Sequence, residues 1–450
     1  MLVVVALSMW LSNMCFAKAH ASIFPTEYLT TTSINTTLYG NVVGLNTSIP
    51  PIRLTIMSLS HEMQQHRLST ALERATQQPA GDSQFVRLYK KLNARAPIVL
   101  ATVGGSITAG NRIQKSKSYG NVLLEWFESK FPASIGRHVY INLGTPSCGS
   151  YFFQHCLNQL LHRKNVTKSD VDLWIMDTAA NDIILSESPA KWLHLEATVR
   201  NILSADNCPT LMFIYFAAGY DKKWSNTEVE QQLVANHYGL ATTSWLRFMQ
   251  HTGGYKAKNL GRWLADGRTH PTIEGHALAA RILQHLILRE LLRVKEPSPY
   301  TFPHVMKGGF PDDPAPICQS FQSNQESWRI SANKGFEIAS LKGGSSGLIA
   351  HSPNAEIVFT FATTTPRSRI LLNIYMSWQC TRTRPQFCPG VALIRLNAAP
   401  EKVVNCKISK KISVPGPVDI GLAAESGTHT VSIRSIGGGV FVGGLFAHRE

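Results

Sequence analysis

Three short stretches of this chain carry residue types and spacings that suit acyl chemistry. In Val103-Gly104-Gly105-Ser106-Ile107-Thr108-Ala109-Gly110 a serine sits on a turn flanked by glycines. Such a turn exposes the hydroxyl as a nucleophile, and its small neighbours let backbone N–H groups face a developing oxyanion. Read as a phosphate loop the turn fails, because it lacks the lysine of a P-loop and the spacing of GxGxxG. Asp266-Gly267-Arg268-Thr269-His270-Pro271 offers a base, His270, with a carboxylate four residues before it to orient the imidazole and stabilise the imidazolium. A lone loop histidine is ordinarily surface, but this one opens a long amphipathic helix. Thr178-Ala179-Ala180-Asn181-Asp182 follows an apolar run, and the Asn181 amide there can donate to an oxyanion. Asn-Asp pairs are also common turn and cap residues, so this third stretch means little alone.

For these residues to meet, strands must end near one another. Pro97 to Val103, His138 to Asn142, Val171 to Asp177 and Pro209 to Phe216 are near-continuous apolar runs, as strands buried on both faces require. Between and after them, Tyr119 to Lys130, Ser150 to His162, Pro189 to Leu203, Thr227 to Tyr238 and Ile273 to Leu292 repeat apolar residues at helical spacing. The alternation predicts an α/β fold with a doubly wound parallel sheet, whose ligand site lies at the carboxyl ends of the strands. Ahead of it, helices are predicted over His61 to Gln77 and Ser83 to Leu92, broken at Pro79-Ala80-Gly81. Beyond Lys295-Glu296-Pro297-Ser298-Pro299, short alternating strands such as Glu356 to Phe361, Ile370 to Trp378, Val391 to Leu396 and Thr428 to Ile433 read as an all-β sandwich. The expected organisation is a signal peptide over 1–21, a Thr-rich glycosylated leader over 22–57, a catalytic domain over 58–296 and a β-sandwich, a candidate glycan-binding domain, over 297–450.

In order and placement, GGSIT, INLGTPSCGSYF, DTAAND and DGRTHPTIEGH resemble the four sequence blocks of the SGNH (GDSL-type) hydrolases. The resemblance covers roughly residues 84 to 293, and QFVRLYKKLNARAPIVLATVGGSITAG looks like the branch with GGSIT in place of GDS. It implies a flavodoxin-like sheet, Ser106 as nucleophile, and His270 and Asp266 completing a triad. The oxyanion hole would be formed by Ser106, a glycine of the second loop and Asn181. Two departures stand out. The family spaces its acid and base as DxxH, whereas one extra residue separates Asp266 from His270, leaving Asp177 and Asp182 as fallback carboxylates. In the second block the position five after Asn142 is Ser147; Gly149 is taken as the donor, with Ser147 as the alternative. The resemblance implies a secreted serine esterase acting on a carboxylic ester, most simply an O-acetyl group on a glycan. A lipase or phospholipase, an O-acyltransferase and a catalytically weak glycan-binding protein are the alternatives on the same fold. Trp328, Tyr375 and Trp378 are candidates for a sugar platform, although core aromatics are commoner at strand positions.

Composition limits the rest. At 450 residues, with 44% hydrophobic and 16% charged residues, the chain is globular and long enough for two cores. Its formal charge of +15 is spread without a basic run, which argues against specific nucleic-acid binding. The diffuse field suits an anionic polysaccharide or membrane surface, or simply keeps the protein soluble. The first 21 residues hold an apolar stretch too short to span a bilayer comfortably, then Ala19-His20-Ala21, and read as a cleaved signal peptide despite lacking Lys or Arg before the apolar stretch. Sequons at Asn35, Asn46 and Asn165 fit that reading. Without Cys15, an odd number of cysteines remains, with Cys380–Cys388, Cys318–Cys406 and Cys156–Cys208 as the expected pairs. No cysteine or histidine cluster has zinc spacing, and no cofactor is expected.

Overall fold

The strands preceding the sandwich are, in chain order, Thr76–Gln78 (β1), Val99–Gly104 (β2), Val139–Asn142 (β3), Leu173–Asp177 (β4), Thr210–Tyr215 (β5), the hairpin Ala218–Tyr220 (β6) and Lys223–Ser225 (β7), and Ala241–Ser244 (β8). In this computed structural model they form one sheet of order β1-β8-β5-β4-β2-β3, with the β6–β7 hairpin separate. β2, β3, β4, β5 and β8 run parallel, and β1 closes the edge antiparallel. Counting only the parallel strands, the order is 2-1-3-4-5, the flavodoxin-like winding, whose switch point lies between β2 and β4. The described residues are 66–183, 192–220, 223–254, 257–294, 303–306, 317–320, 329–340, 346–350, 352–377, 390–407, 413–437 and 439–449. Of the two contact units, Met1–Gln64 and Gln65–Glu450, the first lies wholly outside them, and with it the expected signal peptide, leader and two sequons.

Helices cover both faces of the sheet. Tyr119–Lys130 and Ile273–Arg293 lie on one side, where Leu123, Phe127, Leu283 and Ile287 meet Leu173 and Ile175 of β4. Ser150–His162 and Leu193–Leu203 lie on the other, where Phe152, Leu157, Leu195 and Val199 meet Trp174 and Met176. Alternate residues of one strand thus feed opposite cores, which is why β4 reads as an unbroken apolar run. The helix predicted to reach Gln77 stops at 75, because Thr76–Gln78 is recruited as the edge strand beside β8. β8 itself, Ala-Thr-Thr-Ser, is too polar to announce a buried strand, yet it is buried throughout.

Past residue 316 two antiparallel sheets share a core. Glu356–Thr363 alternates inward and outward, placing Ile357, Phe359 and Phe361 against Ile370, Leu372 and Ile374 of Ser368–Ser377. Trp328 and Trp378 lie outside the described residues, as does the side chain of Tyr375.

This β region is fastened to the helix Ser150–His162. Leu371 and Phe446 join the core beneath that helix, Phe446 stacks on His155 with ring centroids 5.1 Å apart, and His155 Nε2 lies 3.0 Å from His448 Nδ1. Cys156 is bridged to Cys318, correcting both expected pairs, Cys156–Cys208 and Cys318–Cys406. Those pairs assumed that each region closes on itself, whereas the fold brings together cysteines 162 residues apart. Cys208 and Cys406 are free thiols, and Cys380 and Cys388 lie outside the described residues. Replacing Cys156 and Cys318 together by serine is expected to cost about 2–5 kcal/mol, since the bridge closes a long loop. A melting temperature unchanged from wild type would refute that.

Candidate active site

β2 ends at Gly104, and the chain then coils through one tight turn in which Ala109 N–H donates to Gly105 O and Asn111 N–H to Ser106 O, both at 3.0 Å. Both glycines are dictated by close neighbours. A β-carbon on Gly104 would fall on Thr108 Oγ1 and the Asp177 carbonyl, and one on Gly105 would fall on the Asn181 side-chain amide. The turn is anchored from below, where Thr108 Oγ1 donates to Asp177 Oδ2 at 2.9 Å and lies 2.8 Å from Tyr119 Oη. Ser106 therefore stands at the carboxyl end of β2 with Asn181, from the end of β4, beside its own turn, at the switch point of the sheet.

His270 arrives from the loop before the last long helix. Leu264 and Pro271 bridge the base of that loop, Ala265 N–H donates to His270 O at 2.8 Å, and Gly267 takes a left-handed φ of 65°. This closure absorbs the extra residue between Asp266 and His270. Asp266 Oδ1 accepts the N–H groups of Arg268, Thr269 and His270 at 3.0, 2.8 and 3.1 Å. Its Oδ2 lies 2.5 Å from His270 Nδ1, and His270 Nε2 lies 2.8 Å from Ser106 Oγ. An ionised carboxylate only accepts, so Nδ1–H donates to Asp266 and Nε2 is left to accept the Ser106 hydroxyl proton. Partial burial would raise the Asp266 carboxyl, but the His270 hydrogen bond and the Thr269 and Arg268 N–H groups outweigh it and hold the carboxyl well below its usual range. Arg112 adds a positive charge 3.9 Å from Oδ2. The hairpin β6–β7 supports the loop from outside, with Gly219 N–H donating to Arg268 O at 2.8 Å.

The structure thus brings Ser106, His270 and Asp266 into one hydrogen-bonded row and sets Asn181 against Gly105. The fallback carboxylates are engaged elsewhere, Asp177 with Thr108 and Asp182 with Ser150 and Gln231. In the second loop, Ser147 holds a left-handed φ of 63°, the conformation that glycine favours, while Gly149 begins the helix Ser150–His162 in extended form. Thr108 and Gln231 escape the sequence reading, since a threonine inside the serine turn and a glutamine on a helix carry no local mark of a hydrogen-bond network.

Burial keeps four histidines neutral. It lowers His155, His194 and His448 to about 3, and His276, beneath the site, to about 4. Each takes up a proton on unfolding below about pH 6.5, so its contribution to stability is complete above that pH and is lost as pH falls through the window down to about 3 or 4. Burial raises Asp177 to about 7 and Asp182 to about 6, so these carboxyls contribute in the opposite direction, losing stability as pH rises. Four histidines outnumber two carboxyls. The melting temperature is therefore expected to be lower near pH 4.5 than near pH 7.5, and an equal or higher value at the acid pH would contradict this.

A flavodoxin-like α/β domain with a Ser-His-Asp row at its switch point, followed by antiparallel β sheets, defines the class: a two-part carboxylic ester hydrolase. Residues 102–278 match the model of the GDSL-like lipase/acylhydrolase family. Among solved structures, the chain is similar to a two-domain esterase (CEX) active on acetylated mannans, with 17% identity, a TM-score of 0.62, and coverage of 84% of this chain and 99% of that one. The same esterase co-crystallized with mannopentaose gives 17% identity, a TM-score of 0.61 and coverage of 84% and 98%. No curated protein matches the chain.

Proposed function

We propose that the chain is a secreted serine esterase that removes an acyl group, in the simplest case O-acetyl, from a glycan. The observation that carries this reading is the row Ser106 Oγ, His270 and Asp266, joined by contacts of 2.8 and 2.5 Å at the end of β2. In this mechanism Ser106 Oγ attacks the ester carbonyl as His270 Nε2 takes its proton. The C–O bond to the sugar then breaks, and His270 returns the proton to the departing sugar oxygen, which leaves as a hydroxyl. Water, deprotonated by the same imidazole, hydrolyses the acyl-enzyme. The Ser106 and Gly149 N–H groups and the Asn181 amide hold the oxyanion, with each such donor contributing about 10² to 10³ in turnover.

The glycan part of the proposal is supported by similarity across both regions to an esterase whose substrates are acetylated mannans. In this reading the β-sandwich over 297–450 is a glycan-binding domain, and the +15 charge favours association with an anionic polysaccharide or membrane surface. Export is supported by the disulfide and by exposed Asn165, whose sequon lies on a left-handed turn. Among the described residues no helix is long and apolar enough to cross a membrane. The decisive test is a fluorophosphonate probe together with acetate release from acetylated mannan. The proposal requires wild type to take the label at Ser106 and release acetate; a folded wild type that does neither would sink it.

A further inference from the structure

Asn181 and the turn 147–149 approach the site from different elements, the end of β4 and the start of the helix Ser150–His162. One buried carboxylate joins them. Asp182, 2% exposed, accepts Ser150 N–H through Oδ1 at 2.7 Å and Gln231 Nε2–H through Oδ2 at 2.8 Å. Gln231, on the helix Glu228–Tyr238, also donates to Thr178 Oγ1 at 2.9 Å, clamping the other end of the Asn181 turn. The fit around Asp182 is close, because its Oδ1 fills the space that a β-carbon on Gly149 would need. Asn181, the preceding residue, fills the corresponding space above Gly105. Two glycines of two loops are thus matched to two consecutive residues of a third.

We propose that Asp182 is a positioning residue for the reaction: by binding the Ser150 N–H and Gln231 at once, it holds the second loop and the Asn181 amide in a single arrangement facing Ser106. The inference rests on the esterase reading. The carboxylate touches neither His270 nor Ser106, so it acts only through the donors it aligns. Because it sits at the first N–H groups of a 13-residue helix, the helix terminus favours its negative form. Misplacing such donors by about 1 Å costs on the order of 10²-fold in rate without altering how the ground-state ester is bound.

The test uses the full chain with p-nitrophenyl acetate and four variants: Asp182→Ala, Asp182→Asn, Gly149→Ala, and Asp182→Ala with Gly149→Ala. Asp182→Ala is expected to lower kcat by about 10²-fold with KM little changed. Asp182→Asn should recover most of the loss, because its oxygen still accepts the Ser150 N–H and its amide can donate to a turned Gln231. Gly149→Ala, which displaces the carboxylate without removing it, should lower kcat similarly, and the double variant should add little to either single change. A kcat unchanged in Asp182→Ala, a loss confined to KM, or additive losses in the double variant would overturn the proposal. Should Asp182→Ala fail to fold, Asp182→Asn and Gly149→Ala still decide it, through a kcat loss in the second that the first lacks. Failure of the esterase reading would look different, with wild type neither turning over the ester nor taking the fluorophosphonate label.

Discussion

Ser106→Ala and His270→Ala are each expected to lower ester turnover by about 10⁴ to 10⁶-fold and to abolish fluorophosphonate labelling, while leaving the fold intact. The magnitude follows from the geometry. Ser106 Oγ is 2.8 Å from His270 Nε2, so attack and proton transfer occur within one hydrogen bond, and removing either partner removes the step. Neither side chain is part of the hydrophobic cores, so melting temperatures should change little. The double variant should be no worse than the worse single one, since the two residues act as a unit. The residual rate left by donors at the oxyanion should persist in both. Labelling that survives Ser106→Ala would place the reactive nucleophile elsewhere and overturn the assignment.

The second large effect is expected from Asp266→Asn, at about 10⁴-fold in kcat. Which end of the new amide faces His270 is set by the loop. Three backbone N–H groups, from Arg268, Thr269 and His270, already converge on Oδ1, so the amide oxygen must stay there and the NH₂ must replace Oδ2. That NH₂ donates to Nδ1, forcing the imidazole proton onto Nε2, where it faces Ser106 and leaves no lone pair to receive the hydroxyl proton. The loss should therefore fall on kcat, with KM for a small acetyl ester nearly constant. A loss of less than about tenfold would mean that Asp266 orients nothing essential, and would return Asp177 or Asp182 to consideration.

Much of this was legible along the chain because it is local. Strands buried on both faces must be apolar without alternation, so β2, β4 and β5 stand out; β8, equally buried, does not, because its threonine hydroxyls are hydrogen-bonded to neighbouring elements, Thr243 Oγ1 to Ala75 O and Thr242 Oγ1 to Gln232 Oε1. The serine turn is visible because its glycines answer to steric demands at a strand end, and the final helix because it is long and amphipathic. The disulfide was misread for the opposite reason. Cysteine spacing reports short loops, whereas Cys156 and Cys318 meet only because Phe446, Leu371 and His448 seat the β region on the helix carrying Cys156.

Taken alone, the sequence determined the α/β class and the succession of elements, since each depends on residue type and on periodicity within one element, and it singled out Ser106, His270 and Asn181 as candidates. Tertiary structure decided which carboxylate serves the histidine. The sequence put Asp266 first and left Asp177 and Asp182 as fallbacks; the sheet carries those two inward, to Thr108 and to Ser150, while the loop bridged at Leu264 and Pro271 turns Asp266 onto Nδ1. It also decided that the two loops flanking Ser106 are joined through Asp182 and that the β region is held to the helix Ser150–His162 by a disulfide. Such facts follow from distances between residues far apart in the chain, and those distances exist only once the sheet has formed.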